Sequence, residues 1–327
     1  MKVSRIISTK IRISRIITCS FMVVLIINNS YSQERQSQFK PYTIESTFQK
    51  LKNKYQFIKP IQPLVSKEIK YKENLVYKNE NGTKLRLDAY LPKSKNSKTH
   101  PAVLLIHGGG WLTGSKENQR IMAQHLAKNG YAAIAANYTL GLEAPYPAGV
   151  IDLKDAIRWM RKNANKLHIN PDKIAVLGAS SGAHLATLIA VTPNSEIYRF
   201  DSIISDGVQA IVNIDGIVSF IHPEASEEGK MAGIWLNGSK DLNYKNWKEA
   251  SPLEYVNENT PPTLFINSAE PRFHAGRDDM VAILNKYNIY NEIHTITDSP
   301  HAFWLLDPWF EITLAYTVNF LNNVLKD

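Results

Sequence analysis

The sequence predicts an α/β domain: a mostly parallel central sheet with helices on both faces. Three observations carry that expectation. Apolar runs at 102–106, 131–136, 174–177, 210–214 and 263–266 are continuous rather than alternating, as strands covered on both faces are. Helical periodicity falls between and after them. Val150, Leu153, Ile157 and Met160 are spaced 3, 4, 3 behind Pro147, and Phe310, Leu314, Val318, Leu321 and Leu325 are spaced 4, 4, 3, 4. Ahead of both stands a hairpin signal, with Leu75-Val76-Tyr77 and the run 85–90 flanking Asn81-Gly82. An antiparallel hairpin followed by strand–helix alternation is the pattern of a doubly covered sheet.

Taken in order, residues 1–32 read as a secretory signal. Lys2, Arg5, Lys10, Arg12 and Arg15 precede an apolar run at 16–27, and Ser30 and Ser32 suit a peptidase that cleaves before Gln33. Twelve residues at about 1.5 Å each fall short of a roughly 30 Å hydrocarbon core, so stable membrane insertion is not expected. Residues 33–67 are polar, Lys-rich and weakly periodic, an N-terminal arm. The catalytic domain is expected over 68–327. Within it Gly130 suits the left-handed cap of a helix over 117–128, 292–296 is the last candidate strand, and the turn-rich stretch 219–256 reads as a small lid insertion.

Composition excludes several classes. The chain has 327 residues, 38 bases and 30 acids. Residues 1–32 hold five of those bases and no acid, which leaves 33 against 30 for the rest. The basic balance therefore belongs to the leader, and a nucleic-acid partner is not expected. Cys19 is the only cysteine and lies in the leader, so export brings no disulfide. Neither a His-Glu-x-x-His motif nor a cysteine pair is present, and no metal or cofactor is expected.

The sharpest chemical signal is Gly178-Ala179-Ser180-Ser181-Gly182, placed between a buried strand and a helical pattern. Gly-x-Ser-x-Gly in that setting is a nucleophile elbow: the tight turn exposes the Ser180 hydroxyl at the positive end of the following helix. Directly after the strand 102–106 comes His107-Gly108-Gly109-Gly110-Trp111. Glycines there let backbone N–H groups approach an oxyanion, and the N–H of Ser181 adds another donor. The general base is expected near the C-terminus, in the chain order Ser, acid, His. His301, in Ser299-Pro300-His301-Ala302-Phe303-Trp304, follows the last strand and fits. The acid is expected after the strand 263–266. Glu270 is the first choice there, with Asp278 and Asp298 as rivals.

These residues, with Asn137-Tyr138, Pro145-Tyr146-Pro147, Ser251-Pro252 and Pro261-Pro262, make the sequence resemble the α/β-hydrolase superfamily. The resemblance spans roughly 74–327. It lies in the branch of hormone-sensitive-lipase-like esterases and exported bacterial carbohydrate (acetyl and pectin) esterases. It implies Ser180 as nucleophile, His301 as base, and Gly109, Gly110 and Ser181 as the oxyanion hole. The sequence departs from that pattern after the seventh strand, where Asn267-Ser268-Ala269-Glu270 offers Glu in place of Asp and lacks the usual Gly. The stretch 272–278 and the ending 301–310 are similar to exported esterases that act on plant polysaccharides.

The expected function is thus an exported serine esterase that removes short acyl groups, acetyl first, from polysaccharides or oligosaccharides. Trp111 and Tyr138 are the expected sugar-facing aromatics, with Tyr146, Trp235, Trp304 and Trp309 as further candidates. A general carboxylesterase or lipase, or a feruloyl esterase, is the alternative. An inactive hydrolase fold that binds glycans is the rival from another class.

Overall fold

The computed structural model describes residues 39–80, 82–93, 99–198, 202–225 and 229–326. The predicted leader lies outside them. From Pro41 onward the chain forms one compact unit. Its sheet has eight strands: β1 (Ile69–Glu80), β2 (Thr83–Pro92), β3 (His100–Ile106), β4 (Ala132–Ala136), β5 (Ile169–Ala179), β6 (Ala210–Ile214), β7 (Thr263–Asn267) and β8 (Asn291–Thr295). Their spatial order is β1-β2-β4-β3-β5-β6-β7-β8. β2 runs antiparallel to both β1 and β4, and every other pair is parallel. The five strands expected from continuous apolar runs are the buried centre. β8, at the edge, is only half-buried.

Alternate residues of each central strand point to opposite layers. On one face Val103, Leu105, Ala133, Ala135, Leu177, Val212 and Leu264 form a core with α2 (Arg120–Lys128) and the C-terminal helix α6 (Trp309–Leu325). The other face carries α3 (Ala148–Lys162) and α4 (Ser181–Val191), which also pack on each other. α4 is buried along its whole length. No helix among the described residues is long and apolar enough to cross a membrane.

The segment read as an arm is more ordered than its composition suggests. Helix α1 (Ile44–Leu51) starts at a capping box in which Thr43 and Ser46 satisfy each other's backbone N–H groups. Ile44, Phe48 and Leu51 then turn one face to the core. Eight residues give too few turns for that spacing to stand out in a polar stretch. Downstream, Ile58 and Ile61 are buried, and Lys59–Pro60 pairs antiparallel with Leu306–Asp307.

Register places the site. Ile106 lies opposite Gly178, Ala179 opposite Ile214, and Ile214 opposite Ile266. β3, β5, β6 and β7 therefore end at one level, and their next residues emerge side by side. The ladder continues one step beyond the strands: Ser180 N–H donates to Ile214 O and Asp215 N–H to Ile266 O, each at 2.9 Å.

Packing at that edge leaves no room. A Cβ on Gly178 would sit 2.0 Å from Gly182 O, and one on Gly182 would sit 2.3 Å from Ile106 O and 2.5 Å from His107 O. These are backbone atoms, which cannot swing away as a side chain can. Gly182→Ala is therefore expected to lower stability by about 3 kcal/mol, read as a fall in the urea midpoint; an unchanged midpoint contradicts this packing.

Candidate functional site

Ser180 sits at φ 56°, ψ −127°, the turn between β5 and α4. A non-glycine residue held there costs on the order of 1–3 kcal/mol, which the surrounding structure must sustain. Ala183 and His184 N–H groups both donate to Ser180 O, and the Ser180 N–H is held by β6. The hydroxyl is thus presented above the sheet edge, half-buried.

His301 reaches it from the loop after β8. Its Nδ1 lies 2.7 Å from Asp215 Oδ2 and its Nε2 lies 2.8 Å from Ser180 Oγ. An ionised carboxylate only accepts, so Nδ1 carries the proton and Nε2 is left to accept from the Ser180 hydroxyl. Phe273 stacks on the imidazole, with ring centroids 3.5 Å apart and planes inclined by 10°. Trp304 meets it edge-on at 5.1 Å. The loop itself is held by Ser299, whose hydroxyl donates to Ile296 O at 2.7 Å.

The acid differs from the expectation. Glu270 does not meet the imidazole: its Oε1 accepts the backbone N–H of His301 at 3.1 Å, and its side chain is 44% exposed. Asp278 is exposed and pairs with its neighbour Arg277, and Asp298 is exposed as well. The carboxylate at His301 belongs to Asp215, which directly follows β6. The physical reason is strand adjacency. β6 is the immediate neighbour of β5, so its first residue beyond the sheet stands beside Ser180. By Glu270 the chain has already turned away from the end of β7. Asp215 also satisfies the order Ser, acid, His, and its sequence signal was an Asp-Gly directly after an apolar run.

Asp215 is fully buried. Burial by itself raises a carboxyl; here His274, His301 and the Ser268 N–H, 2.8 Å from Oδ1, outweigh it and hold the group well below the ordinary carboxylate range. A carboxyl lowered on folding stabilises the fold while ionised. That contribution is complete above the unfolded carboxylate value and is lost as pH falls toward the folded one.

The loop 107–111 lies against the elbow: a Cβ on Gly108 would stand 2.7 Å from Ala179 O and 3.1 Å from Ser180 Cβ. Gly109 and Gly110 have positive φ, 123° and 60°. The backbone N–H groups of Gly109, Gly110 and Ser181 have no acceptor among the described residues. Three unused donors therefore surround the nucleophile's loop and helix start, the provision an oxyanion requires.

Trp111 and Tyr138, expected to face a sugar, instead face inward. Trp111 is 4% exposed; its indole N–H donates to His184 Nδ1 at 3.1 Å and its ring stacks on Trp235 at 5.3 Å. His184 Nε2 in turn donates to Ala250 O at 2.7 Å, and burial lowers this imidazole to about 4, so it is neutral. Tyr138 stacks on His107 at 4.4 Å, and its hydroxyl donates to His107 O. Adjacency in sequence to the glycine loop put these rings beside the site; the positive φ of Trp111, 62°, turns its side chain beneath it. Tyr146 and Trp235 are buried too. Of the aromatics singled out, Trp304 is the one that contacts the imidazole.

This arrangement is one of a serine nucleophile, an oriented base and free backbone donors. A family model, BD-FAE, matches residues 87–287. The chain belongs to that family. The matched BD-FAE span contains the glycine loop, the elbow and Asp215, while His301 lies beyond it. Among proteins of similar sequence is the probable carboxylic ester hydrolase LipM of Mycobacterium tuberculosis, 27% identical over 224 residues, 64% of this chain and 50% of LipM. The BD-FAE chain spans about half the length of the curated relatives it matches. Its fold is similar to that of the thermophilic esterase Est2 of Thermogutta terrifontis, with a TM-score of 0.65 and 24% identity over 80% of this chain and 94% of Est2. A truncated carbohydrate esterase from gut microbiota shares the fold equally, with a TM-score of 0.65 and 21% identity, over 82% of this chain and 100% of that one. The fold is the α/β-hydrolase fold.

Two substitutions separate the carboxylates in this BD-FAE chain. Asp215→Asn is expected to lower ester turnover by about 10⁴-fold, and Glu270→Gln by less than about tenfold. Steady-state kinetics on a small acetyl ester checks both, and a larger loss from Glu270→Gln reverses the assignment.

Proposed function

We propose that this protein is an exported serine esterase that removes short acyl groups, acetyl foremost, from polysaccharides or oligosaccharides. The observation that carries the esterase reading is the continuous line from Ser180 Oγ to His301 Nε2 at 2.8 Å and from His301 Nδ1 to Asp215 Oδ2 at 2.7 Å. Ser180 Oγ attacks the ester carbonyl as His301 Nε2 takes its proton. Asp215 stabilises the imidazolium that forms, and the N–H groups of Gly109, Gly110 and Ser181 receive the oxyanion. Collapse breaks the bond to the leaving oxygen, His301 returns the proton to it, and an acyl-Ser180 ester remains. Water, deprotonated by His301, then attacks that ester; the acid leaves and Ser180 recovers its proton.

Support for a small acyl group comes from Met231, in the short helix Lys230–Trp235 between β6 and β7. A Cβ on Gly110 would lie 2.4 Å from its methyl carbon and 2.7 Å from its sulfur. The thioether therefore sits directly on the glycine loop, beside the N–H groups assigned to the oxyanion. Support for a carbohydrate is the likeness to a gut carbohydrate esterase. Export rests on the leader, which lies outside the described residues. The ester hydrolases among its relatives keep a general carboxylesterase as the second reading.

Acetate release from acetylated xylan and acetylated pectin tests the substrate. Release from one polymer that falls by about 10⁴-fold or more in Ser180→Ala is the expected result. Hydrolysis of small aryl esters alone, equally dependent on Ser180, selects the general esterase instead. Ser180-independent release rejects the mechanism. Fractionation of the native host with N-terminal sequencing checks export, with Gln33 expected as the first residue.

A further inference from the structure

Asp215 has a second imidazole beside it, and nothing in the reaction above uses that group. His274 Nε2 faces Asp215 Oδ1 at 3.7 Å, on the side of the carboxylate away from His301. The ring's other nitrogen, Nδ1, lies 3.4 Å from Arg277 Nη1. A guanidinium can only donate, so Nδ1 is the accepting nitrogen and the ring proton resides on Nε2. That N–H is buried and has no hydrogen-bond partner within normal length among the described residues. Its nearest charged neighbour is the carboxylate.

Arg277 does not drift, because three groups fix it. Its Nη1 also donates to Asn267 Oδ1 at 2.9 Å, and its Nε donates to Asp278 Oδ1 at 2.8 Å. The groups that face His274 are thus Asp215 from the loop after β6, with His301 beyond it, and Arg277 and its partner Asp278 from α5 (Arg277–Lys286). The ring N–H is thereby aimed at Asp215.

We propose that His274 is a positioning residue for the catalytic carboxylate: its Nε2–H fixes the Asp215 Oδ1 edge so that Oδ2 stays in line with His301 Nδ1. This rests on the esterase reading above. Of the four acceptor positions on the carboxylate, His301 takes one on Oδ2 and the Ser268 N–H takes one on Oδ1. With one donor on each oxygen the carboxyl plane can still rock about the Cβ–Cγ bond. The His274 Nε2–H, 3.7 Å from Oδ1 in the segment ahead of α5, acts on that edge electrostatically and opposes the motion. It also draws off part of the negative charge that acts on His301.

The test uses two substitutions in the full chain. His274→Gln places an amide N–H near the position of Nε2. His274→Asn retains a polar group of similar character but leaves that position empty. On a small acetyl ester, His274→Asn is expected to lower kcat by about 10- to 100-fold with KM unchanged, and His274→Gln by no more than about threefold. In His274→Asn the carboxylate loses one of the N–H groups that face it and acts more strongly on His301, so the acid limb of kcat/KM moves to higher pH, by about half a unit. A second readout needs no substrate: the low-field ¹H signal of the His301 Nδ1 proton is expected to shift or broaden in His274→Asn and persist in His274→Gln. Equal losses in both variants, or an unmoved acid limb and proton signal in a folded His274→Asn, overturn the proposal. If the wild-type protein hydrolyses no ester, the esterase reading falls, and the proton signal still decides the role of His274.

Discussion

Everything at the site depends on how closely the backbone of the β5–α4 turn approaches the end of β3. With Gly182 pressed on Ile106 O and His107 O, the turn has one position relative to the glycine loop. That contact forces Ser180 into a left-handed conformation, and the ladder bond from its N–H to Ile214 O ties the turn to β6. A nucleophile held by strain of this kind needs no induced fit to become exposed. The cost is met by the fully buried packing of α4 against the sheet, since apolar burial contributes in proportion to area.

The same register explains why the carboxylate follows β6. A parallel sheet whose strands end level offers adjacent exits, and Ser180 and Asp215 occupy the two that touch. Asp215 is buried and charged, a combination that is costly unless every acceptor is met. Its partners come from three separate segments: Ser268 after β7, His301 after β8, and His274 before α5. The N-terminal arm adds a fourth support at one remove. Ile61 N–H donates to Leu305 O, and Lys59–Pro60 pairs with Leu306–Asp307, so the segment just beyond His301 is clamped to the arm.

How much of this the sequence discloses follows from what each feature depends on. The central strands are legible because a strand covered on both faces must be apolar throughout, and the apolar run 210–214 has the same bounds as β6. The elbow and the glycine loop are legible because steric need leaves no alternative to Gly. Asp215 is not legible in the same way. Its role depends on which strand lies next to β5, a matter of spatial order, and an Asp after an apolar run has many ordinary uses. Glu270 was drawn in by its position after β7, and it does contact His301, but through the main chain. Trp111 and Tyr138 fail for a related reason: closeness in sequence to the glycine loop does not fix the side of the loop on which a ring packs.

Trp111 belongs to a larger buried cluster. Trp111, His184, Phe220, Trp235 and Trp247 form one aromatic layer under the glycine loop, and His184 links it to both Trp111 and Ala250 O. The layer joins the loop, α4 and the segment between β6 and β7 through contacts that a substrate cannot reach. All five side chains are buried, so the layer braces the glycine loop from within. Two others beside the site, by contrast, reach solvent. Met231 is one, lying partly exposed against Gly110. Arg272 is the other, exposed and stacked at 4.1 Å over Phe273, which itself lies on His301. The thioether lies over the glycine loop, and the guanidinium, 4.0 Å from Glu270, lies over the ring that covers the base. Ser180, Asp215 and the glycine loop are thus held by buried packing that a change at Met231 or Arg272 leaves in place.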